Sequence, residues 1–324
     1  MPARRTIGVD MGGTKLLAGA VDEGFRVHHR AQRVLTGLDQ SALIEIAVDA
    51  VQEARDSAGA EIAAVGFGIP SLIDQRTGIG VIAVNLPLFD IAFGDVMAER
   101  LGLPVFVDND ANLAILAEHR GGAAKGMSEA VMLTIGTGIG GGLILRDRVY
   151  RGAIGSGAEL GHRVIEIDGP RCQGNCPNRG CLEALASGTA LAREAARLAR
   201  ERPASGLGRA LARGRELAGP LVTELAHDGD EAAIETITLI GRRLGVGIAN
   251  LVNIFNPQMV VLGGGVLGAG ELLLEPARRV VAERALPPSR DEVEIVAARF
   301  GVEAGMIGAA ALAFDGIVVR GEAA

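Results

Sequence analysis

The sequence predicts an α/β chain built as two related domains, and three observations carry that reading. The segment RTIGVDMGGTKLLAGAVD (5–22) reads as strand, glycine turn, strand. The segment AVMLTIGTGIGGGLILRD (130–147) repeats the plan about 125 residues later. Between and beyond them, short apolar runs alternate with stretches of helical spacing, the pattern of strands covered by helices. A length of 324 residues supplies chain for two such units. The boundary is expected at HRGGAAKGMS (119–128). Residues 1–120 then form a smaller N-terminal α/β domain and 121–301 a larger one. A last helix, about 302–320, is expected to pack back on the first domain, and the two domains to face each other.

The elements follow in order. After the first hairpin, 26–34 reads as a third strand. Ser41–Ser57 spaces Leu43, Ile46, Ala47, Ala50, Val51 and Ala54 on one helical face, with Ser41 as the expected N-cap. Ile62–Pro70 is a buried-strand pattern, and Pro104–Val107 another, feeding DNDAN (108–112) and a helix at 113–120. Beyond the second hairpin, helices are expected at 182–200 and 231–253, joined by a Gly/Arg/Ala-rich helical insert. Strand 259–262, a glycine turn at 263–265, helix 271–284 and strand 292–297 complete the second domain.

Composition narrows the function. A formal net charge of −7 argues against a nucleic-acid partner. The first apolar run is broken by Asp10, too early for a signal peptide, and no run of about 18 apolar residues is free of charge. No membrane is expected, and the setting reads as cytoplasmic and reducing. There, three cysteines within ten residues point to metal before disulfide.

The 47 glycines cluster at the ends of apolar runs. In DMGGTK (10–15) the amides of Gly12, Gly13 and Thr14 can cradle anionic oxygens, with the Thr14 hydroxyl and Lys15 beside them. Asp10 is placed to hold hydrated Mg²⁺. The alternative is an Asp-capped hairpin turn. TIGTGIGGG (134–142) contains G-x-G-x-x-G, but a strand rather than a helix follows, so the dinucleotide reading fails. A second phosphate hairpin through Gly136, Thr137, Gly138 and Gly140 is expected instead. Gly263, Gly264 and Gly265 make a third turn, suited to close contact with an adenosine. In DNDAN, an Asp can take the proton of an attacking hydroxyl while Asn109 orients a neighbouring hydroxyl; simple helix capping is the alternative. Glu159 and His162 of GAELGH pair a carboxylate with an imidazole, as polyol sites do. His162, Cys172, Cys176 and Cys181 have the composition of a closed Cys₃His zinc site, against three unrelated buried thiols.

Taken in order, DMGGTK, GIP (68–70), NLP (85–87), NDAN, GTGIGGG, ELGH, the cysteine cluster with GCLE, and LGGGV resemble the ROK family of sugar kinases and repressors over nearly the whole chain. The resemblance implies an actin/hexokinase-like (ribonuclease H-like) fold with an interdomain cleft. It implies ATP-dependent phosphorylation of a hexose, glucose to glucose 6-phosphate first, with fructose, mannose or an N-acetylhexosamine as alternatives and polyphosphate as the alternative donor. Asp110 matches the catalytic base. Gly68, Asn85, Asn109, Glu159, His162 and Glu183 match sugar-site residues, and His162, Cys172, Cys176 and Cys181 the structural zinc ligands. The cofactors implied are ATP, Mg²⁺ and Zn²⁺, and the assembly a homo-oligomer, dimer or tetramer. The family's usual C-x-C-x₄-C spacing departs here to Cys172-x₃-Cys176-x₄-Cys181, with Pro177 in place of the usual glycine. A repressor would need a helix-turn-helix segment, and only about five residues precede the first strand. A chaperone-type ATPase would have no use for the ELGH and GCLE residues.

Overall fold

The structure, a computed structural model, describes residues 4–74, 79–83, 86–89 and 91–322. The chain runs β1 (Arg5–Met11), β2 (Lys15–Asp22), β3 (Val27–Val34), α1 (Gln40–Asp56), β4 (Ile62–Ile69), β5 (Ser71–Asp74), β6 (Ile79–Ala83), α2 (Phe93–Leu101), β7 (Val105–Asn109) and α3 (Asp110–Gly121). It continues β8 (Glu129–Ile135), β9 (Ile139–Leu145), β10 (Arg148–Val149), α4 (Leu182–Ala186), α5 (Gly188–Glu201), α6 (Gly206–Ala212), α7 (Gly219–His227) and α8 (Glu231–Phe255). The last elements are β11 (Met259–Gly263), α9 (Glu271–Arg284), α10 (Ser289–Glu292), β12 (Glu294–Ala297) and α11 (Ala304–Glu322).

The repeat seen in the sequence is a repeat of topology. One five-stranded sheet has the order β3-β2-β1-β4-β7 and the other β10-β9-β8-β11-β12, the same order counted along the chain. In the first, β1, β2 and β3 are antiparallel while β4 and β7 join in parallel. In the second, β11 lies parallel between β8 and β12.

Two compact units result. The first holds residues 1–128, 142–158 and 298–324, and the second 129–141 and 159–297. The cut therefore differs from a single break near residue 120, because the second half of β9 and the loop after it cluster with the first unit. In that unit α1 turns Leu43, Ala47, Ala50, Val51 and Ala54 onto the sheet, where Ile7, Val9, Leu16 and Phe67 fill the core. Phe67 meets Phe93 of α2 edge to face, with ring centroids 5.2 Å apart. The C-terminal α11 contacts β1, β4 and α3. Its backbone reaches the sheet because Gly8 and Gly66 have no side chain: a Cβ there would overlap the carbonyls of Met306 and Ala309.

Several expected boundaries change, α3 among them, which starts at Asp110 rather than 113. Helix α1 starts at Gln40, not after Ser41, because the Asp39 carboxylate caps it by accepting from the Ala42 amide. The helix expected at 182–200 is two helices broken at Ser187, whose hydroxyl caps α5 through Ala190. The break lets the Gly188 amide donate to the Gly136 carbonyl. Strand β12 starts at Glu294, behind the short α10. Two helical segments, Glu231–Phe255 and Gly301–Val319, are long and apolar enough to cross a membrane by composition, but half or more of each is buried inside the fold.

Candidate active site and metal centre

In the first unit the chemistry gathers where β1 and β7 end. Asp10 pairs with Leu17 on one side and Gly68 on the other. Burial first, and then the neighbouring Asp110, push the Asp10 carboxyl up to about 7, with Lys15 opposing. Asp110 opens α3, and burial raises it as well, against hydrogen bonds from the Ala111 amide and the Asn109 side chain. Two neighbouring carboxylates that resist ionisation suit a site that receives a cation and a proton. The Asp10 carboxylate is the donor that would hold Mg²⁺, a hard cation that takes oxygen ligands.

Asn109 caps α3, its Oδ1 accepting from the Ala111 and Asn112 amides at 2.9 and 3.2 Å. The capping reading of DNDAN is thus realised by Asn109, while Asp110 lies inside the helix. Gly68 is buried, and a Cβ on it would lie 2.9 Å from Leu113 Cδ1 and 3.6 Å from the Asp110 Cα. Its smoothness makes room for α3. Asn85 lies outside the described residues.

The first glycine turn is tighter than expected. The Gly12 amide donates to the Lys15 carbonyl at 2.9 Å and closes the hairpin, so it shapes the turn. Gly13, Thr14 and Lys15 form its exposed tip.

In the second unit, the hairpin 136–140 is fastened from below. Gly136 donates to Gly138 and accepts from Gly188; the Thr137 carbonyl accepts from the Thr189 hydroxyl at 2.9 Å and from Gln173 Nε2 at 3.3 Å. Glu183 Oε2 accepts from the Ile139 amide at 2.8 Å, and a Cβ on Gly138 would overlap that carboxylate. Gly263 is a buried sheet residue opposite Thr134, whereas Gly264, at φ +93°, and Gly265 form the exposed turn.

The cysteine cluster closes into a cage. One donor atom from each of His162, Cys172, Cys176 and Cys181 lies within 4.8 Å of the others. Cys172 Sγ is 3.4 Å from His162 Nδ1, and Cys176 Sγ is 3.9 Å from Cys181 Sγ. Zinc bonds of about 2.3 Å to sulfur and 2.0 Å to nitrogen require tetrahedral edges of about 3.8 Å for S···S and 3.5 Å for S···N. The cage therefore fits the ion, and the longer Cys172-x₃-Cys176 loop is no obstacle. Burial, then the adjoining Cys181 and Cys176, raise the Cys172 thiol; a divalent cation bound there would have to displace that proton and would offset the thiolate charge. The other His162 ring nitrogen, Nε2, lies 3.9 Å from Glu159 Oε2. Glu183 Oε1 is 3.6 Å from Cys172 Sγ, so this carboxylate stands between the cage and the hairpin.

Sequence reasoning missed Asp108, Arg151 and Gln173. Asp108 had a signal, since it begins DNDAN; Arg151 had none, being a single polar residue between motifs, and Gln173 reads only as a spacer inside the cysteine cluster.

The model of the ROK family matches residues 6–315. A glucokinase of Thermotoga maritima is 37% identical over 315 residues, covering 96% of this chain and 98% of that protein. A ROK family glucokinase from Streptomyces griseus, solved in complex with glucose and AMPPNP, superposes with a TM-score of 0.86 at 35% identity, covering 96% of this chain and 99% of the other. A ROK family transcriptional regulator superposes equally well, with a TM-score of 0.87 at 28% identity, over 98% of this chain and 80% of its own. The repeated sheet order is accordingly that of the actin/hexokinase-like fold. By sequence and by structure, this chain belongs to the ROK family.

Proposed function

We propose that this protein is a hexokinase-type sugar kinase that transfers the γ-phosphoryl group of ATP to a hexose, with glucose the first substrate. One observation carries the reading: Asp110, raised by burial, stands at the start of α3 beside Asp10. A carboxylate so placed accepts the proton of the C6 hydroxyl as its oxygen attacks phosphorus, worth roughly 10²–10⁴ in rate. Asn109, bonded to both the helix end and Asp110, holds that carboxylate and the sugar in line. Glu159 and His162 Nε2 bind hexose hydroxyls. The tips at 13–15 and 136–140 take the nucleotide phosphates, and the turn at 264–265 the adenosine. Mg²⁺ held by Asp10 supplies charge neutralisation on the transferring phosphoryl group. The Cys₃His cage binds zinc structurally, and through Nδ1 it orients the His162 ring toward the sugar.

A coupled assay over glucose, fructose, mannose and N-acetylhexosamines, each with ATP or polyphosphate, tests this. Expected is hexose-dependent ATP turnover, highest with glucose. Nucleotide hydrolysis indifferent to every sugar, or none with any, would remove the kinase reading.

A further inference from the structure

Asp108 lies two residues before Asp110 and is only 2% exposed. Both its carboxylate oxygens are fully engaged. Oδ1 accepts from the Asn109 amide at 2.8 Å and from Asn112 Nδ2 at 3.1 Å. Oδ2 accepts from Arg151 Nε at 2.7 Å and is ion-paired with Nη2 at 2.6 Å. Burying a carboxylate this deeply is costly without a counter-charge and donors for both oxygens. One oxygen thus holds the guanidinium, and the other holds the loop that carries Asn109 and Asp110.

Arg151 is itself held in place. Its Nη1 donates to the Val149 carbonyl at 3.4 Å, and its carbonyl accepts from the Gly157 amide at 2.9 Å. That tight loop needs Gly152 at φ +74° and a bare Gly157, where a Cβ would lie 2.8 Å from the Gly152 nitrogen. The preceding strand β9 presses on α3 at Gly142, where a Cβ would lie 2.8 Å from the Ala111 carbonyl oxygen and 2.6 Å from Ile115 Cγ2. The segment bearing Arg151 and the helix bearing Asp110 are therefore packed as one piece.

We propose that Arg151, acting through Asp108, is a positioning residue for Asp110: the pair fixes the 108–110 backbone and so the place of the carboxylate that takes the hexose proton. The inference rests on the reading of Asp110 as that base. The guanidinium charge is matched by Asp108, and what displaces the titration of Asp110 is its burial, opposed by Ala111 and Asn109. The role is geometric. Loss of the pair lowers kcat without moving the acid limb of the pH–rate profile.

The test uses the full chain with Arg151→Met, Arg151→Lys and the double variant Asp108→Asn/Arg151→Met, each checked for native circular dichroism. Arg151→Met should lose about 10- to 100-fold in kcat, the scale of a misplacement near 1 Å. KM for ATP and hexose should stay within about threefold. Arg151→Lys keeps the charge but offers a single nitrogen in place of the two that face Asp108, and should fall in between. The double variant leaves no uncompensated buried carboxylate, and should be no slower than Arg151→Met. If Arg151→Met does not fold, the other two variants decide. A folded Arg151→Lys within about twofold of the parent would overturn the proposal, because the fork geometry would then be irrelevant. A shift of the acid limb by about one pH unit would also overturn it, because the charge would then be the agent. Asp110→Asn is run alongside: if it keeps its turnover, the base assignment fails by itself, whatever the Arg151 variants do.

Discussion

Replacing Asp110 by asparagine should make the enzyme slower and the unliganded protein more stable at neutral pH. Both effects come from the same two carboxyls. Asp10 is raised from 3.8 to about 7 by burial, with Asp110 the second cause. A carboxyl raised on folding binds its proton more tightly in the native state than in the unfolded one. Its contribution to stability is complete below about pH 4 and is lost as pH rises through about 7. For Asp10 the full rise corresponds to about 4 kcal/mol against the charged form, an upper bound. Asp110 ranks behind burial, so removing its charge returns less than half of that, about 1–2 kcal/mol, or a few degrees in Tm. Thermal melts from about pH 5 to 8.5 without nucleotide or magnesium measure it. The parent should lose Tm toward pH 8, and Asp110→Asn should lose less. In the coupled assay the variant should lose about 10²–10⁴ in kcat. Parallel melting profiles would show that the two carboxyls do not interact, and retained turnover would show that Asp110 is no base. Either result refutes the pairing on which the site is built.

Two further predictions concern the scaffold. Cys181 is fully buried in the cage, so Cys181→Ser should cut zinc content at least tenfold (roughly the effect of disturbing a ligand shell). It should also weaken hexose binding, because the His162 ring loses its anchor. Metal analysis with titration calorimetry reads both, and a zinc-depleted, folded protein with unchanged hexose affinity would refute the coupling. Glu118 is fully buried and accepts from the amides of Ala123, Arg299 and Phe300 at 2.7, 3.1 and 2.9 Å. Glu118→Gln must turn an NH₂ group against one of these donors, so about 1.5–3 kcal/mol should be lost in urea unfolding. A loss below about 0.5 kcal/mol would mean that the third accepted hydrogen bond is not needed there.

The fold class is shared by the glucokinase and the regulator at nearly equal TM-score, so architecture alone does not separate the activities. The site residues must carry the distinction that the fold does not, and part of that site was legible in the chain. The two strand–turn–strand repeats, the helical face of α1 and the clustering of His162 with three cysteines are short-range patterns. Period and spacing express them directly. The sequence by itself therefore determined that there are two related sheets, and that His162 and the three cysteines belong together.

Only the tertiary structure decided how those residues are held. It assigned the Gly12 amide to the turn, broke the helix at Ser187 so that Gly188 could meet Gly136, and set Glu183 between Cys172 and Ile139. It also joined Arg151 to Asp108, 43 positions apart. A lone arginine in a loop carries no period and no local partner, so sequence offers only a solvated charge. The meaning of Arg151 comes from burial of the carboxylate it faces. Burial is a property of the packed chain, fixed by where β9 meets α3 rather than by the residues on either side.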